Sequence, residues 1–179
     1  MSARTSDPGI EPDVTEAAQP IPIPPQARVY AAKFLCGQIK EGPVEPGSYT
    51  TAINVHNPNP HTVVIRKKAI VLFTSTEPQP EKERPKPPGK PIDLELEPDW
   101  GFEIDCPDII DVLIGGPPGP ATPSFIKGWV VIESPRGEPL NVVAVYTVRG
   151  MDPDGRPGVD VSIAVDRIPG TQVRGVLPA

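Results

Sequence analysis

Three side chains in this sequence have the chemistry to hold a soft metal ion: Cys36, His56 and Cys106, with Asp105 beside the last. Each falls near the end of a segment that reads as a strand. Brought to one pole, two thiolates and an imidazole would suit zinc or copper. No two of them stand at chelate spacing, so the set depends wholly on how the chain folds. Three states stay open to the cysteines: two buried thiols, a disulfide closing the segment between them, or metal ligation. In the chain-entropy view that disulfide would stabilise the fold by about 4 kcal/mol. His56 also has an ordinary reading, as a strand-end histidine bonded to the backbone of the Asn57-Pro58 turn.

Other candidates are weaker. Asp152, Asp154 and Asp160 gather carboxylates as a calcium loop does, but they lack the further ligands and the terminal glutamate of such a loop. Asp152-Pro-Asp-Gly155 reads more simply as a tight turn. Glu103 and Asp105 stand two apart, on one face of a strand. They could trade protons, or form a solvated face. His56 and His61 are the two histidines, and neither has a serine or cysteine in its sequence context to complete a triad. Phosphate-binding glycine loops, nucleophile elbows and zinc-protease helices are absent. The expectation is a protein that is not an enzyme and carries no cofactor.

The elements that would position these residues are strands. The chain has 28 prolines in 179 residues. Proline has no N–H to give to a helix or a central strand, so many loops and little long helix are expected. A net charge of −6 excludes nucleic acid as the main partner. No run approaches the 18 apolar residues of a membrane span. Met1 to Val14 shows no apolar signal core. With that N-terminus the expected compartment is the cytoplasm, or an extracytoplasmic one if a signal has been removed.

Residues 1–27 read as an extended arm. Its Gln19-Pro-Ile-Pro-Ile-Pro-Pro25 stretch favours polyproline II. A solvated linker has no need of isoleucines, so Ile21, Pro22, Ile23, Pro24 and Pro25 are the expected partner-binding residues. That segment and 85–91 both match the P-x-x-P spacing that aromatic grooves recognise, a spacing that also arises from proline content alone.

Residues 28–168 read as eight strands: 28–36, 48–56, 62–73, 92–97, 100–106, 124–134, 140–149 and 159–168. In 92–97, Ile92, Leu94 and Leu96 alternate with Asp93, Glu95 and Glu97, as in a half-buried antiparallel strand. Arg66-Lys67-Lys68 suggests a bulge or an exposed middle in the third strand. Trp100 and Trp129 lie in alternating segments and are expected in the core, with a stacking platform for a ligand as the lesser reading. Val159, Val161, Ile163 and Val165 share one face of the last strand. Residues 107–114 read as a short helix, with Asp105 or Cys106 as N-cap and Gly115-Gly116 as its stop. Residues 169–179 read as a tail. The expected fold is an all-β, two-layer antiparallel sandwich with an immunoglobulin-like or related topology, and a barrel as runner-up.

Five segments carry a resemblance: Tyr30-Ala-Ala-Lys-Phe-Leu-Cys-Gly37, Ala52-Ile-Asn-Val-His-Asn-Pro58, Phe102-Glu-Ile-Asp-Cys106, Phe125-Ile-Lys-Gly-Trp-Val-Val-Ile-Glu-Ser134 and Leu140-Asn-Val-Val-Ala-Val-Tyr-Thr147. They resemble a group of uncharacterised bacterial proteins over about residues 29–168. Val131-Ile-Glu-Ser134 with Leu140-Asn-Val-Val143 is similar to a stretch of the sensory rhodopsin transducer family. That resemblance implies a small β-sandwich that assembles as an oligomer and acts by binding. The proline-rich insertions and the arm depart from that family.

The function expected is therefore that of a structural or interaction protein. Its arm would dock on a neighbouring subunit or larger complex, and self-association would run through the arm or a sheet edge. The alternative is a small metal-binding or redox protein using Cys36, His56 and Cys106.

Overall fold

The computed structural model describes residues 26–41, 44–72, 91–115, 125–151 and 156–174. The Ile21–Pro25 segment, residues 85–90 and Asp152 to Asp154 lie outside them. Nine antiparallel strands are described: β1 (Gln26–Ile39), β2 (Gly47–His56), β3 (Val63–Leu72), β4 (Ile92–Leu96), β5 (Gly101–Ile104), β6 (Phe125–Ser134), β7 (Asn141–Met151), β8 (Pro157–Arg167) and β9 (Thr171–Arg174). β9 lies in the segment read as a tail. It pairs with Gln26–Val29 of β1. Its four residues carry too little pattern to be read alone, and the unpaired start of β1 recruits them. β3 runs unbroken against β6 from Arg66 to Leu72, without the suspected bulge.

The strands follow one hydrogen-bonded path, β4-β3-β6-β1-β2-β7-β8, with β5 on β2 and β9 on β1. β6 covers one side of β1 from Arg28 to Gly37. On its other side β1 meets β9 at its start and β2 only at Gly37–Ile39. β2 is instead paired along its whole length with β7 and, at Ile53–His56, with β5. The β1–β2 hairpin thus forks. One arm of the fork carries β4, β3 and β6, and the other carries β5, β7 and β8. Phe34, Ile65, Val130 and Ile132 from the first layer and Ile53, Val55, Ile104 and Val142 from the second fill one core between them. Gly128 stands opposite Phe34 on β6, where a Cβ would strike the Ile70 carbonyl oxygen of β3 and come within 2.8 Å of the phenyl ring, so only glycine fits there.

The fork strips β1 of a neighbour, and Thr51 fills the gap. Its buried hydroxyl donates to the Leu35 carbonyl (3.1 Å) and accepts from the Leu35 N–H (3.0 Å), in place of the absent ladder partner. Gly37, at φ +102°, marks the bend, a conformation that side chains resist.

Residues 108–113 form one wide helical turn, closed by an Ile114 N–H to Ile109 carbonyl bond of 3.0 Å. Asp105 caps it as expected, accepting from the Asp108 N–H at 3.0 Å. Ile109 and Leu113 anchor it in the core, and Gly115, at φ +83°, ends it.

The Asn57-Pro-Asn-Pro60 turn is pinned by a buried asparagine. The Asn57 amide donates to the carbonyls of His61 (2.9 Å), Leu96 (2.8 Å) and Glu97 (3.1 Å), and its oxygen accepts from the Asn59 N–H. This one side chain ties the end of β2 to the β4–β5 turn. That turn places Pro98 before left-handed Asp99 (φ 58°) and is closed by the Trp100 N–H on the Glu97 carbonyl at 3.1 Å.

Candidate functional site

Cys36 and Cys106 are joined by a disulfide with a Cα separation of 5.7 Å. The bond lies beside the fork, and the Thr51 N–H donates to Cys106 Sγ at 3.3 Å. It ties the helical turn after β5 to the layer built on β1. His56 does not join the cysteines. On β2 the odd residues Thr51, Ile53 and Val55 face the core, so His56 projects from the opposite face. Among the described residues no group of three histidine, cysteine or carboxylate side chains is placed to hold a metal ion.

His56 borders a shallow outer cleft of about 430 Å³, lined by Asn54, Gly101, Phe102, Glu103, Asn141 and Val143 among others. The Asn141 amide nitrogen lies 3.3 Å from His56 Nδ1. If Nδ1 accepts, the neutral ring carries its proton on Nε2, which faces Asp99 Oδ1 at 3.8 Å. Among the described residues the cleft's lining brings no hydroxyl or thiol to the imidazole. Asp105, expected beside Glu103, instead accepts the Asp108 N–H at the helical turn.

A second concavity, of about 380 Å³, opens where β7 and β8 pass the unpaired stretch of β1. Ala31, Lys33, Leu35 and Trp129 line it from the first layer, and Tyr146, Asp166 and Ile168 from the second. Trp129 was expected in the core but is 38% exposed. It pairs with Lys33 and Ile70, on the outer register of β6, while Val130 and Ile132 point inward. Trp100 is 61% exposed, because it follows left-handed Asp99 in a turn instead of opening β5. Tyr146 is half-buried, and burial, with the nearby Asp166 carboxylate second, pushes its hydroxyl pKa above the ordinary value.

The third feature is β8. It ends the strand path, and every side chain from Asp160 to Arg167 is exposed. Val161, Ile163 and Val165 are 46%, 67% and 68% exposed. They stand opposite Arg149, Thr147 and Val145 of β7, on the outer face of the second layer. Alternation identified their shared face in the sequence but carried no sign that it would be uncovered.

An all-antiparallel β fold with a disulfide beside its forked hairpin, an uncovered edge strand and an aromatic groove defines the class of this protein. Compared with known proteins, the chain matches no family model, no curated protein and no solved structure.

Proposed function

We propose that this protein is a non-enzymatic assembly module, a rigid β body that joins copies of itself through the free edge of β8. The observation that carries this reading is the uncovered row Val161, Ile163, Val165 on an eleven-residue strand at the end of the sheet. Proteins usually shorten, charge or cover such an edge, because its open N–H and C=O groups template pairing with another chain. From Gly158 to Val165 the strand has no proline, lysine or arginine.

The pattern is self-complementary. A second copy running antiparallel about a two-fold axis sets odd positions against odd ones, so apolar side chains meet apolar side chains on one face. Centred on Ser162, the pairing sets Val161 against Ile163 and Asp160 against Ala164. Centred on Ile163, it would oppose Asp160 to Asp166, two like charges. The Ser162-centred register is therefore the one expected.

Sedimentation of the full chain tests the reading. The protein should dimerise, Ile163→Lys should be monomeric yet still melt cooperatively, without the concentration-dependent part of the wild-type melting temperature, and Ser162→Cys should cross-link to its own copy on mild oxidation. A wild-type chain that stays monomeric into the millimolar range would overturn it.

A further inference from the structure

We infer that a hollow on the outer face of the second layer, built around Arg149, binds a tetrahedral oxyanion, a phosphate or sulfate group. The site stands with or without the β8 dimer, because two copies paired edge to edge leave both outer faces open. Register builds it. Past the bend at Gly37, Gln38 pairs with Ser48, Ser48 with Arg149 and Arg149 with Val161, so one row crosses four strands. The next row sets Thr50 against Thr147. Residues directly opposite in antiparallel strands share a face, with strands about 4.8 Å apart and successive rows about 7 Å apart. Gln38, Ser48, Thr50, Thr147, Arg149 and Val161 line a hollow of about 320 Å³.

The donors select the ligand. Arg149 offers N–H groups only, Ser48, Thr50 and Thr147 offer hydroxyls, and Gln38 offers an amide. Among the described residues no carboxylate lines the hollow, in a chain with a net charge of −6. Asp160 and Asp166 are close in sequence, but their even positions on β8 turn them to the opposite side of the layer from Val161. Glu103 shares the outer face but stands opposite Asn54, about 14 Å along β2 from Thr50. Among the described residues the donors are also unspent. Arg66 is held by Asp93, Arg28 by the Gly137 carbonyl and the Thr51 hydroxyl by Leu35. Arg149, Gln38, Ser48, Thr50 and Thr147 make no side-chain bond to another described residue.

The number of donors separates two kinds of anion. A carboxylate is satisfied by a two-point bond to Arg149 alone, which leaves the hydroxyls idle. A tetrahedral group has further oxygens, which accept from Ser48 beside the guanidinium and from Thr50 and Thr147 in the next row. Val161 closes one side with apolar surface, where the carbon part of a phosphate monoester would rest.

Titration of the full chain with inorganic phosphate tests the site, followed by backbone amide resonances at constant pH and ionic strength. The shifts should saturate and be largest at Ser48, Thr50, Thr147 and Arg149. Arg149→Gln should weaken binding about tenfold or more, as the loss of a charged partner. Thr50→Val with Thr147→Val should weaken it about fivefold, while keeping side chains that suit a strand. Arg167→Gln removes the same charge from the same face and should leave the affinity within about twofold. Sulfate should bind like phosphate, and acetate several-fold more weakly. If phenyl phosphate binds more tightly than inorganic phosphate the ligand is a monoester, and otherwise it is the free ion; both outcomes support the site. Thermal melts show which variants are folded, and the threonine pair carries the test if Arg149→Gln does not fold. Shifts no larger than chloride gives, equal losses at Arg149 and Arg167, or acetate binding as tightly as phosphate would each overturn the inference.

Discussion

The sheet has two ends, and they are built on opposite plans. β4, at one end, has five residues. Its inner side chains Ile92, Leu94 and Leu96 pack on the core, and its outer ones, Asp93 and Glu95, are charged and exposed. Asp93 takes a two-point bond from Arg66, at 2.8 and 3.1 Å. Asn57 holds the strand's last carbonyl, so this edge is short, charged and pinned. β8, at the other end, has eleven residues, is exposed on both faces from Asp160 to Arg167 and carries a row of β-branched side chains, Val161, Ile163 and Val165, outward. Both are edge strands of one sheet with similar alternation in sequence. They differ in what lies beyond them: β4 is finished against water, and β8 is not. The proposed assembly draws on that contrast, since the outer face of β4 is guarded by charge and the outer row of β8, Val161, Ile163 and Val165, is apolar.

If β4 is held by the body and β8 only by β7, mutations at the two ends should differ sharply. The largest effect is expected at Asn57. Asn57→Ala takes the amide donor from the carbonyls of His61, Leu96 and Glu97, and stability should fall by about 4 kcal/mol in denaturant titration. Next come matched truncations of the two edges. Leu96→Ala should cost about 3 kcal/mol as a core cavity, while Ile163→Ala in the monomer should cost less than about 0.5 kcal/mol. Equal losses at the two sites would erase the distinction between the edges. The smallest effect belongs to the charged finish of β4. The Arg66 hydrogen bond, the larger cause, and its charge hold the Asp93 carboxyl below its ordinary pKa of 3.8. A carboxyl depressed in the folded state stabilises above its unfolded pKa and stops doing so as pH falls through the folded one. The slight stability advantage over Asp93→Asn should therefore be full above about pH 4 and vanish on further acidification. It should also shrink in high salt, because the pair is exposed.

What could be read in the sequence divides along the same line. β4 was fully legible, because Ile92, Leu94 and Leu96 alternate with acids and the acids must face water. The helical turn was legible from Pro107 and Gly115, whose backbone preferences are local. For Cys36 and Cys106 three states were open, and the fold joins them by setting one beside the fork and the other at the helix start. His56 was misplaced next to them because its face on β2 follows from parity within the sheet, which sequence proximity to a strand end does not give. Trp129, Tyr146 and β8 posed a different problem. Alternation states which side chains share a face, but whether a second layer covers that face depends on where the hairpin forks. The ninth strand was missed for a related reason: Thr171–Arg174 pairs only because β1 begins with an empty side.

The bond between Cys36 and Cys106 has one more consequence. It turns residues 36 to 106 into a covalent ring that contains β2, β3, β4 and β5. A protease that cuts once anywhere inside that ring opens it but frees no fragment. The nicked molecule keeps its full mass until a reductant is added, and only then falls into two pieces. Digestion followed on paired gels, with and without reductant, would therefore tell cuts inside the ring from cuts before Cys36 or after Cys106, which shed their pieces at once unless the fold retains them.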